Sequence, residues 1–190
     1  MDSPPPPLPT PAPRLATAAD AAELTRMRAQ LFAEMGTAPG DDGWRAACVA
    51  HLRRALADGT VIGAVVDGPE PAGLVAAGLV DLRPVTPGPA NPGGREAYLY
   101  SMYTQAGWRR RGLARAVLER LLGEVRRRGI AVVELHATAD GEALYASAGF
   151  RPRPGGRPMR LSAGPGGAYP ARGGDASPPS PLWRSPGAGK

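Results

Sequence analysis

The spacing of apolar positions changes several times along the chain, and each change predicts an element. Behind Thr17 and Asp20, either of which can cap a helix, Leu24, Met27, Arg28 and Leu31 recur at helical spacing and predict an amphipathic first helix. A break over residues 36–43 precedes a second helix over about 44–57, with Ala47, Cys48, Leu52 and Leu56 on its buried side and Asp58-Gly59 as its stop. Two β-rich runs follow, 61–66 and 73–82. The segment Asp67-Gly68-Pro69-Glu70-Pro71 between them has turn chemistry and predicts an antiparallel hairpin. Residues 84–94 read as a mobile Pro/Gly loop, and 97–104 as a strand with three tyrosines. The clearest helix spans 111–128, where Leu113, Val117, Leu121 and Val125 recur every four residues and Ala114, Leu118 and Leu122 widen the stripe. Gly129 stops it, and 130–135 suit a buried strand. Asp140 then caps a brief helix through Ala148, and 159–161 form a last strand.

A short strand at 14–16 opens this series. The order is strand, two helices, three strands, helix, strand, helix, strand, a mixed α/β pattern with 97–135 as a right-handed parallel crossover in the middle of the sheet. A chain of 190 residues supports one domain with a packed core. Its 23 prolines and 26 glycines gather at the ends and in one loop. Residues 1–13 are therefore expected as a solvated, disordered arm and 163–190 as a disordered tail, around a domain at 14–162.

Composition narrows the functional classes. The net charge of +6 is carried almost wholly by arginine, since Lys190 is the sole lysine, and it favours an anionic partner. No stretch nears the roughly 20 apolar residues that cross a bilayer. The first residues lack the basic segment and apolar run of a signal peptide. Cys48 alone cannot close an internal disulfide, and the simple reading is a core residue of a cytoplasmic protein. Two histidines and one cysteine give no metal-ligand cluster.

The chemistry concentrates where the tyrosine-rich strand becomes the long helix, at Trp108-Arg109-Arg110-Arg111-Gly112-Leu113-Ala114-Arg115. Cations at a helix N-terminus face the positive end of its dipole and cost a few tenths of a kcal/mol each. Four arginines there are unfavourable unless an anion joins them, and Gly112 lets backbone N–H groups approach a phosphate closely. The arginines Arg126, Arg127 and Arg128 sit at the other end, where the dipole welcomes them.

Arg109-Arg110-Arg111-Gly112-Leu113-Ala114 resembles the pyrophosphate-binding pattern of GNAT acetyltransferases, Gln/Arg-x-x-Gly-x-Gly/Ala, at the same strand-to-helix junction. Downstream, Leu144-Tyr145-Ala146-Ser147-Ala148-Gly149-Phe150 is similar to that family's Leu-Tyr-x-x-x-Gly-Phe motif. The resemblance covers about residues 14–161 in element order, with its specific motifs between 98 and 150. It implies a mixed, mostly antiparallel central sheet with a parallel split at the cofactor site and helices on both faces. It also implies acetyl-CoA as cosubstrate and an amine as acceptor, small molecule or protein. By the same resemblance, backbone groups of Met102, Tyr103 and Thr104 would bind the pantetheine arm. The N–H groups of Arg109, Arg110, Arg111, Gly112, Leu113, Ala114 and Arg115 would cradle the pyrophosphate. Tyr145 would protonate the departing thiolate. Thr138 stands where many relatives carry Asn.

A neutral amine must lose a proton as it attacks, and Glu96, which opens the tyrosine strand, is the first candidate to receive it. Glu134 and His136 share one face of the next strand, without an assignment to the inside. His51 is expected at the surface. Tyr98, Tyr100, Tyr103 and Trp44 either line the acceptor pocket or belong to the core. Substrate choice is expected to rest on residues 35–44, 84–94 and 151–157. Two other classes stay open: a non-catalytic acyl-CoA-binding module of the same fold, and a basic nucleic-acid-binding protein using the arginine-rich helix. No membrane partner is expected, and the chain is read as a monomer or homodimer.

Overall fold

Two of the strands are apolar along nearly their whole length because both faces of the sheet they belong to are covered. The computed structural model describes residues 11–37 and 43–152. The elements are β1 (Arg14–Leu15), a short 3-10 turn (Ala18–Asp20), α1 (Ala21–Glu34), α2 (Gly43–Asp58), β2 (Val61–Asp67) and β3 (Leu74–Pro84). They continue with β4 (Arg95–Thr104), a second 3-10 turn (Ala106–Trp108), α3 (Leu113–Arg127), β5 (Val132–Leu135) and α4 (Ala139–Ser147). One five-stranded sheet runs in the order β1-β2-β3-β4-β5. Its pairs are antiparallel except β4 and β5, which are parallel as a strand–helix–strand crossover demands.

The alternation of side chains along the strands divides the core in two. Ile62, Ala64 and Val66 of β2 and Ala97 and Leu99 of β4 pack with Leu113, Val117, Leu118, Leu121 and Val125 of α3. Val61 and Val65 of β2 and Leu79 of β3 pack the other way, with Leu24 and Met27 of α1 and Leu52 and Ala55 of α2. The four-residue stripe of α3 is thus its buried face: Leu113, Val117, Leu121 and Val125 are each exposed by 1% or less.

The N-terminal strand is tied down by charge. Arg14 donates to Asp20 at 2.8 Å and to Asp67 at 2.7 Å, linking β1 to the turn before α1 and to the end of β2. The β3–β4 hairpin continues into the Pro/Gly loop, which is laced by backbone bonds: the N–H of Val85 donates to Gly94 O at 2.9 Å and that of Asn91 to Gly88 O at 2.9 Å.

Several expectations need correction. The long helix starts at Leu113, so Arg109, Arg110 and Arg111 lie in the approach to it. Thr138, not Asp140, holds the position before the first residue of α4. Ala47 is exposed, because the buried stripe of α2 runs through Leu52 and Ala55 with Cys48 and Leu56 half-buried beside it. The parallel β5 is the last strand of the described sheet. The strand expected at 159–161 and both expected tails beyond residues 11 and 152 lie outside the described residues.

Candidate active site

Strands β4 and β5 pair only from Glu96↔Val132 to Leu99↔Leu135. Beyond that point β4 continues to Thr104 with no strand partner on the β5 side among the described residues, so the sheet splits between its only parallel pair. On the other edge, the register with β3 steps two residues, Ala77 to Leu79, against three on β4, Tyr103 to Tyr100. That extra residue is a β-bulge, and Ser101 within it has φ of +52°. The bulge is seated on Gly78, where a Cβ would run into Met102 Sδ and stand 3.0 Å from Leu121. Met102, Tyr103 and Thr104 therefore form a strand end without a β5 partner among the described residues, on which Thr104 O accepts from Arg109. The Thr104 hydroxyl oxygen beside it is buried without a hydrogen-bond partner.

Next to the split lies the start of α3. Gly112 holds the position before its first residue at φ +78°, left-handed backbone in which a side chain is strained. A Cβ there would meet nothing within 4 Å, so the space beyond the turn is open. The first intrahelical bond runs from Ala116 N–H to Gly112 O at 3.0 Å. The N–H groups of Leu113, Ala114 and Arg115 precede it and have no helical acceptor, which makes a donor set for an anion. Of the four arginines here, only Arg109 has an acidic partner among the described residues. It pairs with Glu34 of α1 and donates to Thr104 O at 3.0 Å. Glu34 also accepts from the Tyr103 hydroxyl at 2.8 Å, and these two donors hold its carboxyl below the usual range. Arg111 donates to Gly107 O at 3.0 Å and covers the Trp108 ring, Arg115 reaches Ser147 Oγ at 3.3 Å, and Arg110 is exposed.

The Leu-Tyr-x-x-x-Gly-Phe run has a mechanical meaning. Helix α4 ends in a paired C-terminal motif, with Gly149 N–H donating to Ala146 O and Phe150 N–H to Tyr145 O, both at 3.1 Å. Gly149 takes φ +98°, which returns the chain so that Phe150 meets Tyr145 edge to face at 5.9 Å. On its other side the Tyr145 ring lies over Gly141, where a Cβ would sit 2.9 Å from it. Burial pushes the Tyr145 hydroxyl above the ordinary tyrosine value. The ring is fixed by packing, while no described residue hydrogen-bonds the hydroxyl. Thr138, at the head of the same helix, is exposed and its carbonyl accepts from Gly141 and Glu142 N–H.

The face of the sheet opposite α3 carries a polar and aromatic strip. Val133 and Leu135 pack toward α3, so Glu134 and His136 fall on the α1/α2 face, which settles their orientation. Register places Glu96 opposite Arg83 and Tyr98 opposite Asp81 on that face. Tyr98 stacks on Tyr100 at 6.4 Å and shares a 2.6 Å hydrogen bond with His136 Nδ1. Burial, reinforced by nearby Asp81, pushes the Tyr100 hydroxyl far up. Tyr103 joins the core of this side at 8% exposure, and Trp44 packs on Phe32 at 5.7 Å. Glu96 stands at the paired end of β4, about 13 Å along the strand from Tyr100. His51 is exposed, and Cys48 is half-buried against the α1/α2 core. The sequence reading passed over Arg28, whose guanidinium lies 4.6 Å from the Phe32 ring centre and donates to Ser101 Oγ. Its signal was an arginine on the apolar stripe of the first helix.

A mixed sheet split at a parallel pair, with an anion-ready helix start at the mouth of the split, is the architecture of an acetyltransferase fold. Residues 25–150 match the model of the Acetyltransferase (GNAT) family, and the chain belongs to that family. Membership makes the chain an acyltransferase in class. A predicted acetyltransferase from Clostridium acetobutylicum, crystallised with acetyl-CoA, is similar at a TM-score of 0.69 and 22% identity, over 78% of this chain and 94% of that one. A GCN5-related N-acetyltransferase from Ralstonia eutropha JMP134 is similar at 0.62 and 29% identity, over 77% of this chain and 97% of that one. Glucosamine-6-phosphate N-acetyltransferase from Arabidopsis thaliana shares the fold at 0.61 and 14% identity, over 79% of this chain and 97% of that one. No curated protein matches the sequence. No described helix is long and apolar enough to cross a membrane.

Proposed function

We infer that the chain transfers an acetyl group from acetyl-CoA to a primary amine by direct attack on the thioester. The observation that carries this reading is a left-handed, unobstructed helix start at Gly112 together with the strand end 102–104, which lacks a β5 partner among the described residues. The Arg109 N–H donates to Ala106 O at 3.3 Å, and the N–H groups from Arg110 to Arg115 suit the pyrophosphate, with Arg110, Arg111 and Arg115 adding charge. The strand end suits the amides of the pantetheine arm, and the orphaned Thr104 hydroxyl offers a further partner there. The acetyl-CoA that accompanies the Clostridium relative agrees with this assignment.

The chemistry follows from the two sides of the split. The amine nitrogen bonds to the thioester carbon, and N–H groups of the strand end stabilise the oxyanion that develops. The C–S bond then breaks and the thiolate leaves. Tyr145 stays protonated across the physiological range because burial raises its hydroxyl. Full transfer to a thiolate of reference pKa about 8.5 is uphill from there. Tyr145 therefore acts by hydrogen-bonding the sulfur as charge builds, with solvent completing the protonation. The amine's own proton leaves on the opposite face through water, toward Glu96 or toward His136, which lies one residue past the last paired position of β5. Thr138 is assigned a single hydrogen bond near the cofactor.

The test has two parts. Acetyl-CoA at 100 times its dissociation constant should stabilise the protein by about 2.7 kcal/mol, and thiol release over an amine panel should report turnover. A melting rise without thiol release on any amine would leave only the binding module. No rise would sink the reading and favour nucleic acid. Tyr145→Phe should lower kcat by about tenfold, the loss of one hydrogen bond to a charged sulfur, with the acetyl-CoA melting shift kept; full activity would remove the role. Glu96→Gln and His136→Gln are separated by which one abolishes the acidic limb of the kcat/KM profile.

A further inference from the structure

On α1, two arginines two residues apart meet opposite fates. Arg26 is fully engaged: it grips Glu23 through two nitrogens at 3.0 and 2.8 Å and also reaches Gln30 and Leu74 O. Arg28 is half-buried and forms no ion pair among the described residues. Two carboxylates of this side are engaged elsewhere, Glu34 by Arg109 and Tyr103, and Asp81 by Arg83 at 3.7 Å. Its guanidinium lies between the Phe32 ring at 4.6 Å and the Tyr100 ring at 5.4 Å, and its only described hydrogen bond goes to Ser101 Oγ. Aromatic faces attract the charge but accept none of the in-plane hydrogen bonds. The half-buried guanidinium thus keeps most of its five donors off any described protein acceptor, and its planar fork matches a carboxylate.

The bulge explains why this guanidinium stands at the acetyl-transfer point. Residues 100 and 101 of a regular strand face opposite ways. At φ +52° the extra residue turns Ser101 to the α1 side, along with Tyr100. The next residue, Met102, opens the strand end assigned to the cofactor. Arg28 is therefore anchored one residue from the cofactor edge, on the face from which the amine must come.

We propose that Arg28 is the recognition residue for a carboxylate on the acceptor, so that the amine acetylated is an amino acid or another amine with a carboxylate close to its nitrogen. This rests on the acetyl-transfer reading above, since it fixes the substrate class for that same site. The carboxylate seats on the free edge of the guanidinium, Tyr100 and Phe32 hold that edge in place, and the neighbouring amine faces the split.

The decisive comparison is between an amino acid and its own amide, glycine, L-alanine and L-phenylalanine serving as the probes. The amide has the more acidic ammonium and so more free amine at a given pH, which means that a preference for the acid reports binding. With acetyl-CoA saturating, the full chain should show kcat/KM for at least one of the acids about tenfold or more above its amide, one tenfold step being about 1.4 kcal/mol. Arg28→Gln should collapse that ratio through KM, with Arg28→Lys intermediate, and both variants should keep the acetyl-CoA melting shift as proof of folding. A binding arm makes the result independent of turnover. In the presence of CoA, the N-acetyl amino acid should raise the wild-type melting temperature and fail to do so for Arg28→Gln, while the N-acetyl amide does neither. Equal kcat/KM for every acid and its amide would overturn the proposal, as would equal stabilisation by the two products or unchanged discrimination in Arg28→Gln. Stabilisation by the N-acetyl acid without any thiol release would uphold the carboxylate site and defeat the transfer reading instead.

Discussion

The two ends of α3 carry the same residue type in opposite circumstances. At its C-terminus, Arg127 and Arg128 both pair with Glu124, and Arg128 also donates to Gly59 O at 2.8 Å. Glu124 is buried at 8% exposure, and its two partners hold its carboxyl below the usual glutamate value. The helix dipole favours positive charge there as well, so every local term is satisfied within the protein. At the N-terminus the dipole opposes positive charge, yet Arg110, Arg111 and Arg115 stand there with no described acidic partner. Only Arg109 is neutralised, by a glutamate from another helix. The difference separates charge that the fold itself satisfies from charge that it leaves without a described acidic partner: one end closes its own accounts, and the other does not.

The sharpest way to break this contrast is at Gly112. Gly112→Val forces a branched residue into φ +78° and puts its side chain into the open space beyond the turn. Strain of about 2 kcal/mol, mid-range for such positions, would alone raise the CoA dissociation constant about thirtyfold if the turn must be native to bind. The strain acts once: to the extent that the free variant keeps the native turn, it lowers the melting temperature instead of the affinity. Unchanged CoA affinity by calorimetry would show that the N–H groups at this helix start hold no phosphate.

How much of this was readable beforehand depends on which residues decide each feature. The stripe of α3 was legible because four core contacts repeat every four residues, and a period survives without knowledge of partners. The turn at Gly112 and the Tyr145–Phe150 pair were legible through motifs whose geometry is local: a left-handed residue, a helix end, a return of five residues. The bulge at Ser101 was not, since it is set by register against β3 and by the absence of a side chain at Gly78, some twenty residues away in sequence. Arg28 was missed for a related reason. Its meaning lies in what it lacks, a carboxylate partner, and only the folded arrangement shows Glu34 and Asp81 already engaged. The face of Glu134 and His136 likewise waited on where Val133 and Leu135 pack.

A smaller but cleaner effect compares charge at the two ends directly. Arg110→Gln with Arg111→Gln should raise the CoA dissociation constant about tenfold, the loss of one modest charge-assisted hydrogen bond. It should also flatten the dependence of binding on salt. The same pair should leave the melting temperature unchanged or slightly higher, because two cations leave the positive end of the dipole. Arg126→Gln with Arg127→Gln should do the reverse, costing about 0.5 kcal/mol of stability with affinity held within about twofold. If the two double variants weaken CoA equally, the contrast fails and the arginines act only through overall charge.

The smallest expected effect tests the C-terminal end alone, through pH. Glu124 has its carboxyl lowered in the folded protein by Arg128 first and Arg127 after it, so its ion pairs stabilise the fold when ionised. That contribution is complete above the ordinary value of 4.5 and fades as pH falls through the lower folded value. Glu124→Gln keeps the shape and removes the charge, and should cost about 1 kcal/mol near neutrality, a fall of roughly 3 °C for a domain of this size. Wild type and variant should then converge in melting temperature as the pH falls from 4.5 through the lowered folded value, below which both carry a neutral side chain. CoA affinity should not change at any pH in this series, because the pairs lie a full helix length from Gly112. A gap that persists at low pH would mean that the glutamate acts by packing rather than by charge, and a shift in CoA affinity would couple the two ends that the structure keeps apart.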